Sequence, residues 1–229
     1  FAKLGYIIID EQHKFGVRQR KLLSDKGGKN CDVLLMSATP IPRTLTMSIY
    51  GDMDVSIIRE KPKHRKEVTT YSKNENKIED VINFVRKEIN EGNQVFWVCP
   101  LIEDSAFLDY SSAKEKFKII DKIFPNKVGL IHGGLKNEEK DKILKNFLLR
   151  KISILVTTTV IEVGIDFPNA NVIIIENANK FGLSQLHQLR GRVGRGNKQA
   201  NCILMLKSNL SGNAKKRINI LKSTNDGFV

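Results

Sequence analysis

Two carboxylates stand side by side in "YIIIDEQHKFGV", Tyr6–Val17, directly after a run suited to a buried strand. Adjacent Asp10 and Glu11 repel each other, and a hard cation relieves that repulsion. Mg2+ takes oxygen ligands and keeps several of its waters. Asp10 could therefore hold a water of the metal shell while Glu11 orients and deprotonates an attacking water. A second cluster points to an anion. "QLHQLRGRVGRG", Gln185–Gly196, places Arg190, Arg192 and Arg195 within six residues, with glycines between them. Guanidinium groups that close repel one another unless an anion lies among them, and phosphate oxygens match their fork geometry. "TTTVIEVGIDFP", Thr157–Pro168, offers Gly164, where backbone can approach a ligand, and Asp166, which could accept from a ribose hydroxyl. "MSATPIPRT", Met36–Thr44, supplies Ser37 and Thr39, small hydroxyls able to hydrogen-bond back to the acidic loop. Each stretch also has a plainer reading: a solvated acidic turn, a helix cap at Thr39 or a solvated basic loop. Taken together they describe a metal, a water and a phosphate chain.

The elements that must carry these residues follow from periodicity. Short Val/Ile/Leu runs predict buried parallel strands over Tyr6–Ile9, Val33–Met36, Val95–Val98, Val128–Ile131, Ile152–Val156, Val172–Ile175 and Cys202–Leu206. Helical patterns lie between several of them. Ile78, Val81, Ile82, Val85 and Ile89 share one face, with Gly92 where a C-terminal cap belongs. Ser112 and Glu115 fit a capping box before Phe117, Ile120 and Phe124, and Asn137 can cap a helix turning Ile143, Leu144 and Phe147 inward. A fourth helix is expected from Ser184. Strands alternating with helices predict an open α/β sheet, and ligands bind beyond the carboxyl ends of its strands. That is where Asp10 and Glu11 fall. "REKPKHRK", Arg59–Lys66, is charged, holds a proline and reads as a linker.

Composition narrows the partner. A chain of 229 residues with 41% hydrophobic residues is long enough for real cores, and a net charge of +13 points to an anionic partner, nucleic acid first. The charge is uneven: Leu186–Val229 holds nine Lys or Arg and one acid, Asp226. Cys31, Cys99 and Cys202 are far apart with no CxxC, which argues for reduced thiols in a cytoplasmic compartment and against a zinc site. No apolar run approaches membrane-spanning length, and no signal peptide is visible. The strand that begins within a few residues of Phe1, with no initiating methionine, reads as the start of an excised fragment.

The four chemical stretches, in this order, resemble motifs II, III, V and VI of superfamily 2 helicases. With "VFWVCPLIE" and "NDGFV" added, the chain resembles over nearly its whole length the RecG family of bacterial ATP-dependent DNA helicases, which remodel branched DNA at stalled forks and Holliday junctions. Mfd, the transcription-repair coupling translocase, shares "PIPRTL" and "LRGRVGR", but its acidic motif typically reads DEEQ where this chain has "DEQH". Two positions depart from the RecG pattern. Lys14 stands where an arginine is common, and Gly134 in "HGGL" stands where a longer residue is usual.

The resemblance implies two RecA-like lobes that close on ATP. Residues 1–60 would be the later part of the first lobe, 61–66 a linker, and 67–229 a complete second lobe, a parallel sheet with helices on both faces. Asp10 would serve Mg2+ through water and Glu11 would be the general base. His13, with Ser37 and Thr39, would couple the nucleotide site to motif III. Gly164 and Asp166 would face the nucleotide, Gln188 the phosphates, and Arg192 and Arg195 would act as arginine fingers. Thr158 would touch a DNA backbone phosphate. No GxxxxGK[ST] occurs, and "KGGK", Lys26–Lys29, lacks its spacing, so the phosphate loop is expected upstream of Phe1. A basic nucleic-acid-binding module that does not hydrolyse ATP is the alternative of another class. The simultaneous presence of Glu11, Arg192 and Arg195 speaks against it.

Overall fold

Val/Ile-rich runs too short for helices become strands here, and in the central strands both faces are covered. The computed structural model describes residues 4–11, 22, 25–27, 31–37, 54–58, 60, 65–100, 106–158, 166–208 and 210–224, apart from the side chains of 106–111. The chain divides into two compact units, the first ending at residue 59 and the second starting at residue 60.

In the first unit, Tyr6–Ile9 (β1) pairs in parallel with Asp32–Leu35 (β2), with Ile9 opposite Leu35. The two faces differ. Ile7 and Ile9 are buried, whereas Tyr6, Ile8 and Leu34 are exposed.

The second unit is a six-stranded parallel sheet. Its strands are Val68–Asn74 (β3), Gln94–Val98 (β4), Val128–Ile131 (β5), Ile154–Thr157 (β6), Ala170–Ile175 (β7) and Ala200–Leu206 (β8), in the order β3-β8-β7-β4-β6-β5. Its helices are Ile78–Asn90 (α1), Ala106–Ile123 (α2), Asn137–Leu148 (α3), Leu183–Arg190 (α4) and Gly212–Ser223 (α5). Strand alternation sends successive side chains to opposite faces. Val95 and Trp97 of β4 join Val81, Val85, Ile120 and Phe124 of α1 and α2 on one face. Phe96 and Val98 join Leu144, Phe147, Leu186, Leu189, Ile218 and Leu221 of α3, α4 and α5 on the other. Each fully buried large side chain contributes roughly 1.5–3 kcal/mol. With both faces covered, β4, β6 and β7 are buried along their whole length.

Helix ends follow local chemistry. Gly92 takes φ +80°, and the Gly92 and Asn93 N–H groups donate to Ile89 O (3.0 Å) and Glu88 O (2.9 Å), so α1 ends in the glycine cap expected. Other expected boundaries move. Ser112 lies inside α2, where no orphan N–H needs its hydroxyl. Asn137 is the first helical residue of α3, with the cap at Lys136, whose N–H donates to Glu139 Oε2 at 3.3 Å. α4 starts one residue before Ser184, capped at Gly182.

Cys99 and Cys202 are fully buried, and burial raises both thiol pKa values, that of Cys202 to about 12. Only thiolates react readily. In a thiol-reagent titration of the native protein near pH 8, half-buried Cys31 is expected to react roughly tenfold or more faster than the other two. Rapid labelling of all three thiols would contradict this packing. No helix among the described residues is long and apolar enough to cross a membrane.

Candidate functional site

The acidic pair sits just past the carboxyl end of β1. Glu11 N–H donates to Asp10 Oδ1 at 2.8 Å, and Glu11 holds φ +49°, in the left-handed region a glutamate rarely adopts. Backbone held in such a region is characteristic of functional loops. Met36 N–H donates to Ile9 O at 2.8 Å, so the start of motif III runs beside the acidic turn and Ser37 follows at the same end. His13, Thr39 and Gly164 lie outside the described residues. Asp10 and Glu11 are hard oxygen donors, as Mg2+ requires. Among the described residues no group of three or more His, Cys, Asp or Glu could cage a metal. A donor set of one or two carboxylates suits an ion that takes its remaining ligands from waters and substrate phosphates.

The second constellation is in the second unit. Since all six strands are parallel, Thr158, just after β6, and Asp166, just before β7, lie at opposite edges of the sheet. The ends of motif V therefore serve different neighbourhoods. Thr158 N–H donates to Ile131 O at 3.3 Å, beside the end of β5, and its residue is only 4% exposed, so a phosphate would meet little of its side chain. Asp166 is exposed, and Arg195 Nη1 lies 3.7 Å from its Oδ1. Motifs V and VI, read separately as ribose and phosphate contacts, are thus brought together.

Three features hold that meeting point. Phe167 is buried against Phe96 and Phe147, with ring centroids 5.8 and 5.2 Å away, which anchors Asp166 from the following residue. Gly194 has φ +72°, and its N–H donates to Ala170 O at 3.2 Å. A Cβ on Gly196 would stand 2.5 Å from Pro168 O, so only glycine lets the arginine loop lie on the end of motif V. Phe167 was not singled out in the sequence. An aromatic residue directly after a candidate site carboxylate was the available signal.

The arginines separate. Arg192 and Arg195 lie on the loop after α4, both half-exposed, and Gln188 is half-buried on α4. Arg190, expected to share the anion, is buried instead. Its Nη1 donates to Leu221 O (2.7 Å) and Thr224 O (2.8 Å), and its Nη2 lies 2.9 Å from His187 Nδ1. It clamps α4 to the end of α5, and burial lowers its pKa. Carbonyl oxygens take the place that a phosphate was expected to fill.

A parallel sheet covered on both faces, with the arginine loop laid over the end of motif V, defines a RecA-like helicase domain. Residues 76–197, more than half of the chain, match the family described as the helicase conserved C-terminal domain, and the chain belongs to that family. Over its whole length it is similar to ATP-dependent DNA helicase RecG of Bacillus subtilis (49% identical, 33% of that protein) and of Thermotoga maritima (50% identical, 29% of that protein). The chain thus spans about a third of the length of the curated relatives it matches. A solved structure of RecG bound to a three-way DNA junction superposes with a TM-score of 0.79 at 46% identity, covering 100% of this chain and 29% of that one. Yeast Dbp5 bound to RNA and ADP BeF3 shares the fold, with a TM-score of 0.66 at 18% identity over 95% of this chain and 57% of that one.

Proposed function

We propose that this chain is the motif II-to-VI part of an ATP-driven DNA helicase of RecG type that remodels branched DNA, at forks and Holliday junctions. Similarity to RecG along the whole chain carries this reading. The residues supply matching chemistry. Glu11 serves as base for the attacking water, and Asp10 would hold Mg2+ through one of its waters. Bound Mg2+ would neutralise charge on the phosphates. Gln188, Arg192 and Arg195 face the phosphates, and Asp166 accepts from the ribose while holding Arg195 at hand. His13, Ser37 and Thr39 link the acidic turn to motif III, with Gly164 beside the nucleotide. Residues 1–60 form the later part of the first lobe, 61–66 the linker and 67–229 the second lobe. Thr158 marks the DNA-facing edge of the sheet, where contacts to phosphate position the strand without reading its bases.

The test uses the full-length protein: ATP hydrolysis with and without forked DNA, and regression of a synthetic fork. Stimulation by forked DNA with fork regression is expected. Displacement of stalled RNA polymerase without fork regression would favour the Mfd-like reading. DNA binding with no hydrolysis would favour the non-hydrolysing module.

The isolated chain, lacking a GxxxxGK[ST] loop, is expected to hydrolyse no ATP. Any DNA binding should ignore base sequence and weaken with salt, each neutralised phosphate contributing a log–log slope of roughly −0.7 to −0.9. Filter binding at two salt concentrations checks this, and a salt-independent affinity would contradict it.

A further inference from the structure

Arg65 was read as part of a charged linker, yet it is half-buried and docked. Its Nη2 donates to Gly191 O at 3.0 Å and lies 3.5 Å from Val193 O. These two carbonyls flank Arg192. The segment that carries Arg65 is itself fixed. β3 starts three residues later and pairs with β8, with Val68 opposite Ala200. Gln199 Nε2 donates to Glu67 O (2.7 Å) and Thr69 Oγ1 (2.9 Å). The loop is held on its other side by Gly194 N–H on Ala170 O.

We propose that Arg65 is a positioning residue for the arginine loop, holding the carbonyls on either side of Arg192 so that its guanidinium is presented ready for phosphate. The proposal rests on the reading of Arg192 as a phosphate-facing residue. Electrostatics agree with a packed position. Burial and then the charge of Arg195 lower the Arg65 pKa, and Asp166 opposes them. A lysine there keeps the charge and can still reach a carbonyl, whereas alanine or glutamine removes the cation.

The experiment is a double-mutant cycle on ATP hydrolysis by the full-length protein with forked DNA. Misplacing a reacting group by about 1 Å costs on the order of 100-fold. Arg65→Ala is therefore expected to lower kcat by roughly ten- to a hundredfold, with KM for ATP within about threefold. Arg65→Lys should recover most of the loss. Arg65→Ala combined with Arg192→Ala should be no worse than Arg192→Ala alone, since Arg65 acts through that residue. If Arg65→Ala does not fold, Arg65→Gln takes its place in the cycle. Retention of kcat within twofold, or a double variant that loses the product of the two single effects, overturns the proposal. An unchanged kcat for Arg192→Ala would instead overturn the phosphate-facing reading of the loop, and this proposal with it.

Discussion

Glu11→Gln in the full-length protein is expected to remove ATP hydrolysis while leaving ATP affinity within a few-fold of the wild type. The amide keeps the shape of the side chain and its place after β1, but it cannot accept the proton of the attacking water. Loss of a positioned general base costs typically 10²- to 10⁴-fold. The left-handed Glu11 backbone and its N–H donation to Asp10 Oδ1 belong to the turn rather than to the carboxylate, so the substitution leaves them in place. Single-turnover hydrolysis beside titration with a fluorescent ATP analogue separates the two effects. Hydrolysis retained within tenfold would remove Glu11 from the role of base. Loss of nucleotide binding in step with hydrolysis would make the acidic turn a binding element instead.

Arg195→Ala should be as damaging by another route. An arginine that stabilises charge developing on a transferred phosphoryl group contributes on the order of 10³- to 10⁵-fold. The structure supplies a control. Arg195 pairs with Asp166 at 3.7 Å, and both side chains reach solvent, at 33% and 59%. Exposed pairs contribute about 0–1 kcal/mol, so neither substitution should unfold the protein. Asp166→Ala should therefore raise KM for ATP more than it lowers kcat, because it removes a ribose acceptor while leaving the guanidinium. Measured under DNA-stimulated turnover with a thermal melt of each variant, equal kcat losses for the two would make the ion pair itself the functional unit. An intact kcat for Arg195→Ala would leave Arg192 as the loop's sole candidate finger.

The positions of the acidic turn and of the arginine loop are legible in the sequence, and what is not legible shares a cause. Asp10 and Glu11 fall just past β1, as expected, because an apolar run marks where a strand stops, whereas the sequence does not say that Asp166 lies ahead of β7. Arg190 was grouped with Arg192 and Arg195 because a sequence lists neighbours without saying which way they turn. One sits on α4 facing α5, and two sit on the loop beyond. Thr158 is expected from the sequence to reach a DNA phosphate, but packing beside β5 leaves it only 4% exposed, which local sequence does not show. Two elements also escaped notice. β3 reads "VTTYSKN", with every second residue exposed, so it lacks the apolar run of a central strand. α5 offers only Ala214, Ile218 and Leu221 as a buried stripe.

By itself, the sequence determined the alternation of strands and helices, the glycine end of α1 and the position of the acidic turn after β1. All of these rest on residues within a turn or two of each other, whose types constrain the backbone directly. Tertiary structure alone decided which arginines are taken up by distant backbone carbonyls and which remain half-exposed on the loop after α4. Arg190 meets Leu221 across 31 residues, Arg65 meets Gly191 across 126, and Trp97 Nε1 donates to Glu176 across 79. A guanidinium reads the same in a sequence whether carbonyls or phosphates receive it. Only the order of the parallel strands, which brings β3 and β8 together and lays the arginine loop over the end of motif V, gives Arg65 and Arg190 their carbonyl acceptors.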